Sequence, residues 1–269
     1  MATAGLASMI GAAPAQAATA VTVTEADVVT TNVPTPTPSQ WYKFTRDTGD
    51  ASFIPGTATH RSYLQLSTVP NAPSGSPKVY LFNYALAGQP LSSLTTLAYD
   101  TLRDPASTGL ESQRPAINVE IDTNGPAAGG YAVLVWELVY AAAGAGALTI
   151  GAFQDWTPSD GPGWWSPQNG PVVLGQNGAL GFPSFTATLA DVKAALPDAT
   201  LGGIGVNHGG GNDGLVGGVS HLTVNDITYN FGAVTLTSKD QCKGEGWATS
   251  TMPVFKNQGA CVSYFATKR

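Results

Sequence analysis

The chain has 269 residues, with 12 lysines and arginines against 18 aspartates and glutamates, which gives a formal net charge of −6. Nucleic acids and anionic membranes require a basic stripe that neutralises phosphates, and the few scattered basic residues exclude both as expected partners. Charged residues make up only 11% of the chain, beside 32 glycines and 19 prolines. Low charge and frequent turn residues favour an all-β extracellular protein over a cytosolic enzyme.

Residues 1–17 have features of an export signal. Small and apolar residues lead to Ala15-Gln16-Ala17, an A-x-A-like cleavage site. No lysine or arginine precedes Lys43, so the positive start of such a signal is missing and we expect it to be N-terminally incomplete. The alternative is an alanine-rich end with no targeting role. After residue 17, no apolar run reaches the ~18 residues of a membrane span. The mature protein is therefore predicted to be secreted.

Short segments rich in aromatic or β-branched residues, separated by turn residues, predict about ten strands. In chain order they are TAVTVTEADVVTTNV, WYKFTRD, RSYLQLSTV, VYLFNYAL, LTTLAYDTL, AINVEID, YAVLVWELVY, ALTIGAFQDW, TLGGIGVN, HLTV and ITYNF. The spacing of 116–122 and 131–138 indicates a hairpin, and Asn225-Asp226 indicates a tight hairpin turn between the last two segments. This series predicts an all-β, jelly-roll β-sandwich over residues 18–234.

One short helix is predicted within FTATLADVKAALPDA. Thr188 is the expected N-cap, and Asp191, three residues later, is its capping-box partner. Leu189, Val192 and Leu196 form the apolar face of this helix. Pro197 ends it.

Residues 235–269 differ from the sandwich and are predicted to form a separate C-terminal motif. This segment is more polar and holds both cysteines, Cys242 and Cys261. In an exported chain the two are expected to form a disulfide, because the outside of the cell is oxidising. Two thiols with no nearby histidine lack the four ligands of structural zinc. Trp247 and Phe255 are expected to form the core of this motif.

Two regions resemble exported proteins of actinobacteria. Across roughly residues 40–232, the order LSSLTTLAYDT, AINVEIDTNG, YAVLVWELVY, TLADVKAALPDATLGGIGVN and HLTVNDITYNFG resembles a secreted, mostly uncharacterised family with a predicted jelly-roll or concanavalin-like sandwich. The segment SKDQCKGEGW…FKNQGACVSY resembles a short two-cysteine element at the C-terminus of many such proteins. The resemblance implies a fold and a compartment, and it implies little about chemistry.

A calcium site is one expectation drawn from this resemblance. Relatives often carry an aspartate-rich run where this chain has EIDTNG, and the glycine-rich loop 208–214 adds further oxygen donors. Calcium prefers six to eight oxygen ligands. The candidate ligands are Asp122, Asn124, Asn212 and Asp213. They are too few for a full shell, and the alternative is that all four are ordinary turn residues.

The stretch WTPSDGPGWWSPQNG, residues 156–170, combines three tryptophans with many turn residues. Adjacent Trp164 and Trp165 should point to opposite sides of an extended segment, one inward and one outward. An exposed ring among polar groups is typical of a sugar site. The candidate ligand-binding residues are Trp164, Trp165, Asp155, Asp160 and Gln168. The alternative is that these rings cover one end of the core. The concave sheet of the jelly roll is the other place where a ligand is expected.

Catalysis receives little support from the sequence. In the expected hairpin, Glu120 and Glu137 stand about 13 Å apart, since strands rise about 3.3 Å per residue. Glycosidase carboxyl pairs stand roughly 5–5.5 Å or 6.5–9.5 Å apart. His60, His208 and His221 lie in no catalytic motif and are each expected to be surface or loop residues.

The predicted function is therefore that of a secreted, non-catalytic β-sandwich that binds a glycan or cell-wall polymer. One alternative is a structural or surface-interaction protein with no small ligand. The other is a polysaccharide hydrolase or lyase on the same scaffold, because one fold supports many functions. No cofactor is implied beyond the candidate calcium.

Overall fold

A computed structural model describes residues 19–31, 37–38, 40–57, 60–70, 76–125, 129–141, 147–167, 185–210 and 213–267. The predicted export signal and the candidate residues Gln168 and Asn212 lie outside these ranges. The described residues form two eight-stranded β-sheets that pack face to face. The predicted β-sandwich is confirmed.

Sheet 1 contains eight of the sixteen strands in the described residues. They are β1 (Thr19–Val23), β4 (Asp50–Ile54), β5 (Tyr63–Ser67), β7 (Leu97–Arg103), β10 (Phe153–Trp156), β14 (Val216–Val219), β15 (His221–Val224) and β16 (Ile227–Phe231). Their order is β1-β16-β15-β7-β14-β5-β4, and β10 pairs with the other edge of β7.

Sheet 2 contains the other eight. They are β2 (Val28–Thr30), β3 (Trp41–Arg46), β6 (Lys78–Asn83), β8 (Ala116–Asp122), β9 (Tyr131–Trp136), β11 (Pro162–Trp165), β12 (Ala187–Thr188) and β13 (Thr200–His208). Their order is β12-β11-β9-β8-β13-β6-β3-β2. The β8–β9 hairpin has the expected register, with Asp122 opposite Tyr131 and Glu120 opposite Val133.

The core lies between the two sheets and is filled by alternate residues of each strand. In β8, Ile117, Val119 and Ile121 face inward and are completely buried or nearly so. Leu64 and Leu66 of β5 meet them from sheet 1. Because side chains alternate along a strand, the residues between these point to the outer faces of the sandwich.

Four α-helices occur in the described residues, which is more than the one predicted. They are α1 (Leu138–Ala141), α2 (Leu189–Ala195), α3 (Gly246–Thr249) and α4 (Gln258–Thr267). Helix α2 is the predicted one. Its capping box is present, with the Thr188 N–H donating to Asp191 Oδ2 at 2.9 Å and the Asp191 N–H donating to Thr188 Oγ1 at 3.2 Å.

Helices α3 and α4 belong to the C-terminal motif, which has a small core of its own. The predicted disulfide joins Cys242 and Cys261. Both cysteines are fully buried beside Phe255, and Trp247 and Tyr264 pack against them. None of the helices described is long and apolar enough to cross a membrane.

Candidate functional site

A groove of about 730 Å³ lies on the outer face of sheet 2. Its lining comes mainly from strands β3, β6, β13, β8 and β9, with additions from β11 and α1. These strands are neighbours in the sheet but are scattered over the sequence. The groove therefore exists only because strand pairing brings them together.

One wall of the groove is aromatic. Tyr42 and Phe44 of β3 stand opposite Phe82 and Tyr80 of β6 in the strand register, and Tyr84 follows β6. Tyr80 stacks on Phe82 with ring centroids 5.4 Å apart, and Tyr42 meets Tyr84 edge-on at 5.6 Å. The five rings contact one another in a row, in which Tyr42, Phe82 and Tyr84 are buried. Phe44 and Tyr80 are partly exposed, and partly exposed rings of this kind can stack on the apolar face of a ligand.

A polar strip runs along the middle of the groove on β13 and β8. Asn207 Nδ2 donates to Asn118 Oδ1 at 3.0 Å, and both side chains are buried. Within the described residues, Asn207 Oδ1 has no hydrogen-bond partner. A buried acceptor without a partner costs about 1–3 kcal/mol, which a ligand donor at the groove floor would recover.

Glu120 forms the other end of the polar strip. Its Oε1 accepts from the Tyr131 hydroxyl at 2.9 Å, and its Oε2 accepts from the backbone N–H of Gly203 at 3.2 Å. Burial, followed by the charge of Glu120, raises the pKa values of Tyr84 and Tyr131. Both phenols therefore stay protonated and remain hydrogen-bond donors at neutral pH.

Gly203 makes this arrangement possible. A Cβ built on Gly203 would lie 2.9 Å from both Tyr84 Cζ and Glu120 Oε2. Real Cβ atoms do not approach other atoms so closely. The absence of a side chain at Gly203 thus lets the aromatic wall and the polar strip close up to one another.

The opposite wall is apolar and ends in a second aromatic group. Val133 and Val135 of β9 pack with Trp165 of β11, which stands opposite Val135 in the register. Tyr140 of α1 meets Trp165 edge-on at 6.1 Å and stacks on Phe185 at 3.6 Å. The groove is thus bounded on both sides by rings, with the amides and carboxyl groups between them.

Glu137 lies just beyond β9 on this side of the groove. Burial raises the pKa of its carboxyl to about 7, while the Trp165 indole and the Lys78 ammonium group act in the opposite direction. The Trp165 Nε1 group lowers the pKa of this carboxyl, although the two groups do not have the geometry of a hydrogen bond. Glu120 is opposite Val133, four residues before Glu137, so the backbone positions of the two residues are about 13 Å apart along the strand direction. That spacing does not suit a glycosidase pair.

Of the proposed sugar-binding residues that the structure describes, one reaches the groove. Trp165 lines it, whereas Trp164 is 1% exposed in the core and donates to the Pro158 carbonyl at 2.9 Å. The expected division of adjacent rings between two faces is therefore observed. Asp155 belongs to β10 of sheet 1, and Asp160 is exposed beside Ser159. The structure does not bring these acids to Trp165.

The candidate calcium ligands are also separated. Asp122 ends β8 opposite Thr200, the first residue of β13, and its Oδ1 accepts the Asn124 N–H at 3.2 Å. Asp213 follows the other end of β13. The length of this nine-residue strand separates the two groups, so the described candidates do not form one shell.

A second polar cluster lies on the outer face of sheet 1. Strands β14 and β15 pair with the same edge of β7, but their register shifts by one residue, so Ser220 and His221 both face Asp100. This is a β-bulge, which leaves backbone N–H groups without ladder partners. Asp100 Oδ1 accepts both of them, from Ser220 at 2.7 Å and from His221 at 3.1 Å.

The remaining contacts of Asp100 complete the cluster. Its Oδ2 accepts from the Ser220 hydroxyl and from Arg61 Nη1 at 3.2 Å, and it lies 3.4 Å from His221 Nδ1. On the other ring nitrogen, His221 Nε2 lies 3.7 Å from Asp155 Oδ1. The hydrogen bond that the His221 ring donates to the Asp100 carboxylate raises the pKa of His221. Burial raises the pKa of Asp100, but the contacts with His221 and Ser220 outweigh it and leave the pKa low.

This cluster stabilises the bulge and is poorly suited to chemistry. Ligand atoms of Asp100, Asp155 and His221 lie within 4.8 Å of one another, as in a metal site. However, donors already occupy both oxygens of Asp100. Ser220 and Asp100 also contact the same nitrogen of His221, whereas a nucleophilic triad places them on opposite nitrogens.

The expectation that each histidine is a surface or loop residue is wrong for His208. His208 is the last residue of β13 and is 1% exposed, since it alternates with Asn207 and faces inward. His221 opens β15 and is part of the Asp100 cluster. His60 is exposed, as expected.

Comparisons with family models, curated proteins and solved structures find no match to this chain. The resemblance to the secreted actinobacterial family therefore stays a prediction. The groove residues other than Trp165 were not predicted as a ligand site. A sequence signal was present, because Tyr80, Phe82 and Tyr84 recur at every second residue opposite an aliphatic inner face. A row of large rings on the face that points away from the core indicates an outer face that binds a partner or ligand.

Proposed function

We propose that the protein is a secreted, non-catalytic carbohydrate-binding protein whose ligand lies in the groove on sheet 2. The observation that carries this proposal is the aromatic wall of Tyr42, Phe44, Tyr80, Phe82 and Tyr84, which faces a strip of buried amides and a carboxylate. Sugar rings have an apolar face that stacks on aromatic side chains, and hydroxyls at their rim that need such polar partners.

The shape of the site favours a chain over a single sugar. The groove runs over the outer face of the sheet and crosses five adjacent strands. Strands in a sheet lie about 4.8 Å apart, so five of them span roughly 19 Å. That length accommodates several consecutive sugar units, which favours a polysaccharide such as a cell-wall polymer.

Binding without turnover is favoured by the placement of the acids. The backbone positions of Glu120 and Glu137 are about four residues apart along the strand direction, which is wider than the spacing of a glycosidase acid and base and supports binding over hydrolysis. Glu120 is instead engaged with Tyr131 and Gly203. Secretion belongs to the same proposal, and the Cys242–Cys261 disulfide supports it because disulfides persist in oxidising compartments.

The test is a titration of the purified protein with soluble polysaccharides, followed by tryptophan fluorescence and by calorimetry. Trp165 lines the groove, so a bound chain should change its emission. In Tyr80→Ala the dissociation constant should rise by at least about tenfold, because truncating an aromatic anchor costs about 2 kcal/mol or more.

The matched control is Tyr63→Ala. Tyr63 is also a half-buried tyrosine in edge contact with another ring, Phe153, but it lies in β5 on the opposite sheet. The Tyr63→Ala variant should leave the binding of polysaccharides unchanged. Equal losses in both variants, or no binding of any polymer by the unmodified protein, would contradict the proposal and favour a structural or surface-interaction role.

A further inference from the structure

Two basic side chains stand together at one end of the groove. Arg46 is the last residue of β3, Lys78 is the first residue of β6, and the two are directly paired in the register. The Lys78 ammonium group lies 4.4 Å above the Tyr80 ring. Like charges directly opposite one another across a strand pair are destabilising. The fold therefore retains a repulsive pair beside the aromatic wall.

This pair makes no ion pair with a carboxylate in the part of the chain that the structure describes, and Glu137 acts on Lys78 only at longer range. Arg46 instead donates to the backbone carbonyl and the hydroxyl of Ser76. Burial and the charge of Arg46 lower the pKa of Lys78, with Glu137 acting in the opposite direction. The absence of an ion pair among the described residues and the lowered pKa of Lys78 both indicate a positively charged site that a bound anion would stabilise.

The groove also reverses the charge balance of the chain. It is lined by three basic residues, Arg46, Lys78 and Arg114, and by two acidic ones, Glu120 and Glu137. The whole chain has 12 basic and 18 acidic residues. A negatively charged protein repels a polyanion at long range, so such a ligand needs a local positive site of this kind.

We propose that the groove selects a saccharide chain that carries negative groups, such as uronate carboxylates, and that Arg46 and Lys78 bind one of these groups. This inference rests on the proposed function and adds the chemical class of the ligand. Arg114 contributes charge but not contact, since it is buried and its terminal nitrogens donate to the carbonyls of Glu111, Gln113 and Thr149. Tyr80 places a sugar ring beside the cationic pair.

The test compares polymers that differ only in charge. Polygalacturonate is titrated against its methyl ester, and dextran sulfate against dextran, at low and at raised salt. Polygalacturonate should bind about tenfold more tightly than its ester, as one charge-assisted hydrogen bond implies. Added salt should reduce this preference, while binding of the neutral polymers stays constant.

Two variants test whether the preference for a charged polymer depends on Arg46 and Lys78. Lys78→Met keeps the packing on Tyr80 but removes the positive charge of Lys78. Arg46→Gln removes the positive charge of Arg46. Each should abolish most of the preference for polygalacturonate over its ester. The control is Lys256→Gln, which makes the same change in net charge at an exposed residue of the C-terminal motif. It should leave the preference intact.

The outcomes separate this inference from the proposed function. A preference for polygalacturonate that the two groove variants abolish supports a carboxylate ligand, and the same behaviour for dextran sulfate alone supports a sulfated one. Equal or tighter binding of the neutral polymers overturns the inference while carbohydrate binding stands. Binding of none of the four polymers overturns both.

Discussion

Replacing Asp100 tests how the bulge in sheet 1 is held together. In Asp100→Ala the buried N–H groups of Ser220 and His221 lose their acceptor, which lies at 2.7 and 3.1 Å. Each buried donor without a partner costs about 1–3 kcal/mol, so the variant should lose about 3–4 kcal/mol of unfolding free energy. The loss of Arg61 as a partner adds little, since that side chain is 62% exposed.

Asp100→Asn is the matched control. Asparagine keeps an oxygen for the two backbone donors but removes the charge, and hydrogen bonds to charged groups are only about 1–2 kcal/mol stronger than neutral ones. We expect this variant to lose about 1–2 kcal/mol. Urea unfolding of the two variants and the unmodified protein measures both values, provided the slope of free energy against urea is unchanged.

The interaction between Asp100 and His221 also predicts that the free energy of unfolding depends on pH. The pKa of His221 is raised from its ordinary value of 6.5, so its contribution is complete below that pH and is lost as the pH rises through the folded value. The pKa of Asp100 is lowered from 3.8, so its contribution is present above that pH and is lost on acidification. The cost of Asp100→Asn should therefore be largest between about pH 4 and 6.5.

Two results would refute this reasoning. One is a loss below about 1 kcal/mol in Asp100→Ala, since a single unsatisfied buried donor should already cost that much. The other is an equal loss in the alanine and asparagine variants, which would mean that the carboxylate oxygen does not hold the backbone of the bulge.

Three further predictions concern the groove and the C-terminal motif. Because the raised pKa of Glu137 makes its ionisation unfavourable in the fold, stability should fall by up to about 3 kcal/mol between pH 4.5 and 8, and urea unfolding of Glu137→Gln should show no such fall. Gly203→Ala should cost about 1–3 kcal/mol by crowding Tyr84, and should weaken polysaccharide binding measured by calorimetry. Replacing Cys242 and Cys261 by serine should cost about 3 kcal/mol, and limited proteolysis should then cut first in the C-terminal motif.

Features set by neighbouring residues were predicted well from the sequence. The capping box at Thr188 and Asp191 is a local signal, because both partners lie within one turn. The turn at Asn225-Asp226 is another, and Asn225 has the positive φ of 55° that such a turn needs. The β8–β9 register followed from the length of its connection and the alternation of its apolar residues.

Features that depend on distant strands were not predicted. Strand β14 consists of VGGV, in which the glycines hide the usual pattern, and the bulge at Ser220 arises only from pairing with β7. The groove itself joins β3, β6, β8, β9 and β13, whose order in the sheet is not their order in the chain. Trp165 was identified because of its own ring, but its neighbours in the groove come from strands as distant in the sequence as β3.

The two outer faces of the sandwich differ in how their charges are satisfied, and this difference supports the proposed site on sheet 2. On sheet 1, Asp100, His221 and Arg61 neutralise one another, and their shared role is to hold a bulge. On sheet 2, Arg46 and Lys78 face each other without a carboxylate ion pair among the described residues, beside a wall of rings. A fold gains nothing from an uncompensated pair, since repulsion lowers its stability. A bound anion would relieve this repulsion, and we therefore expect the ligand on the face that carries the groove.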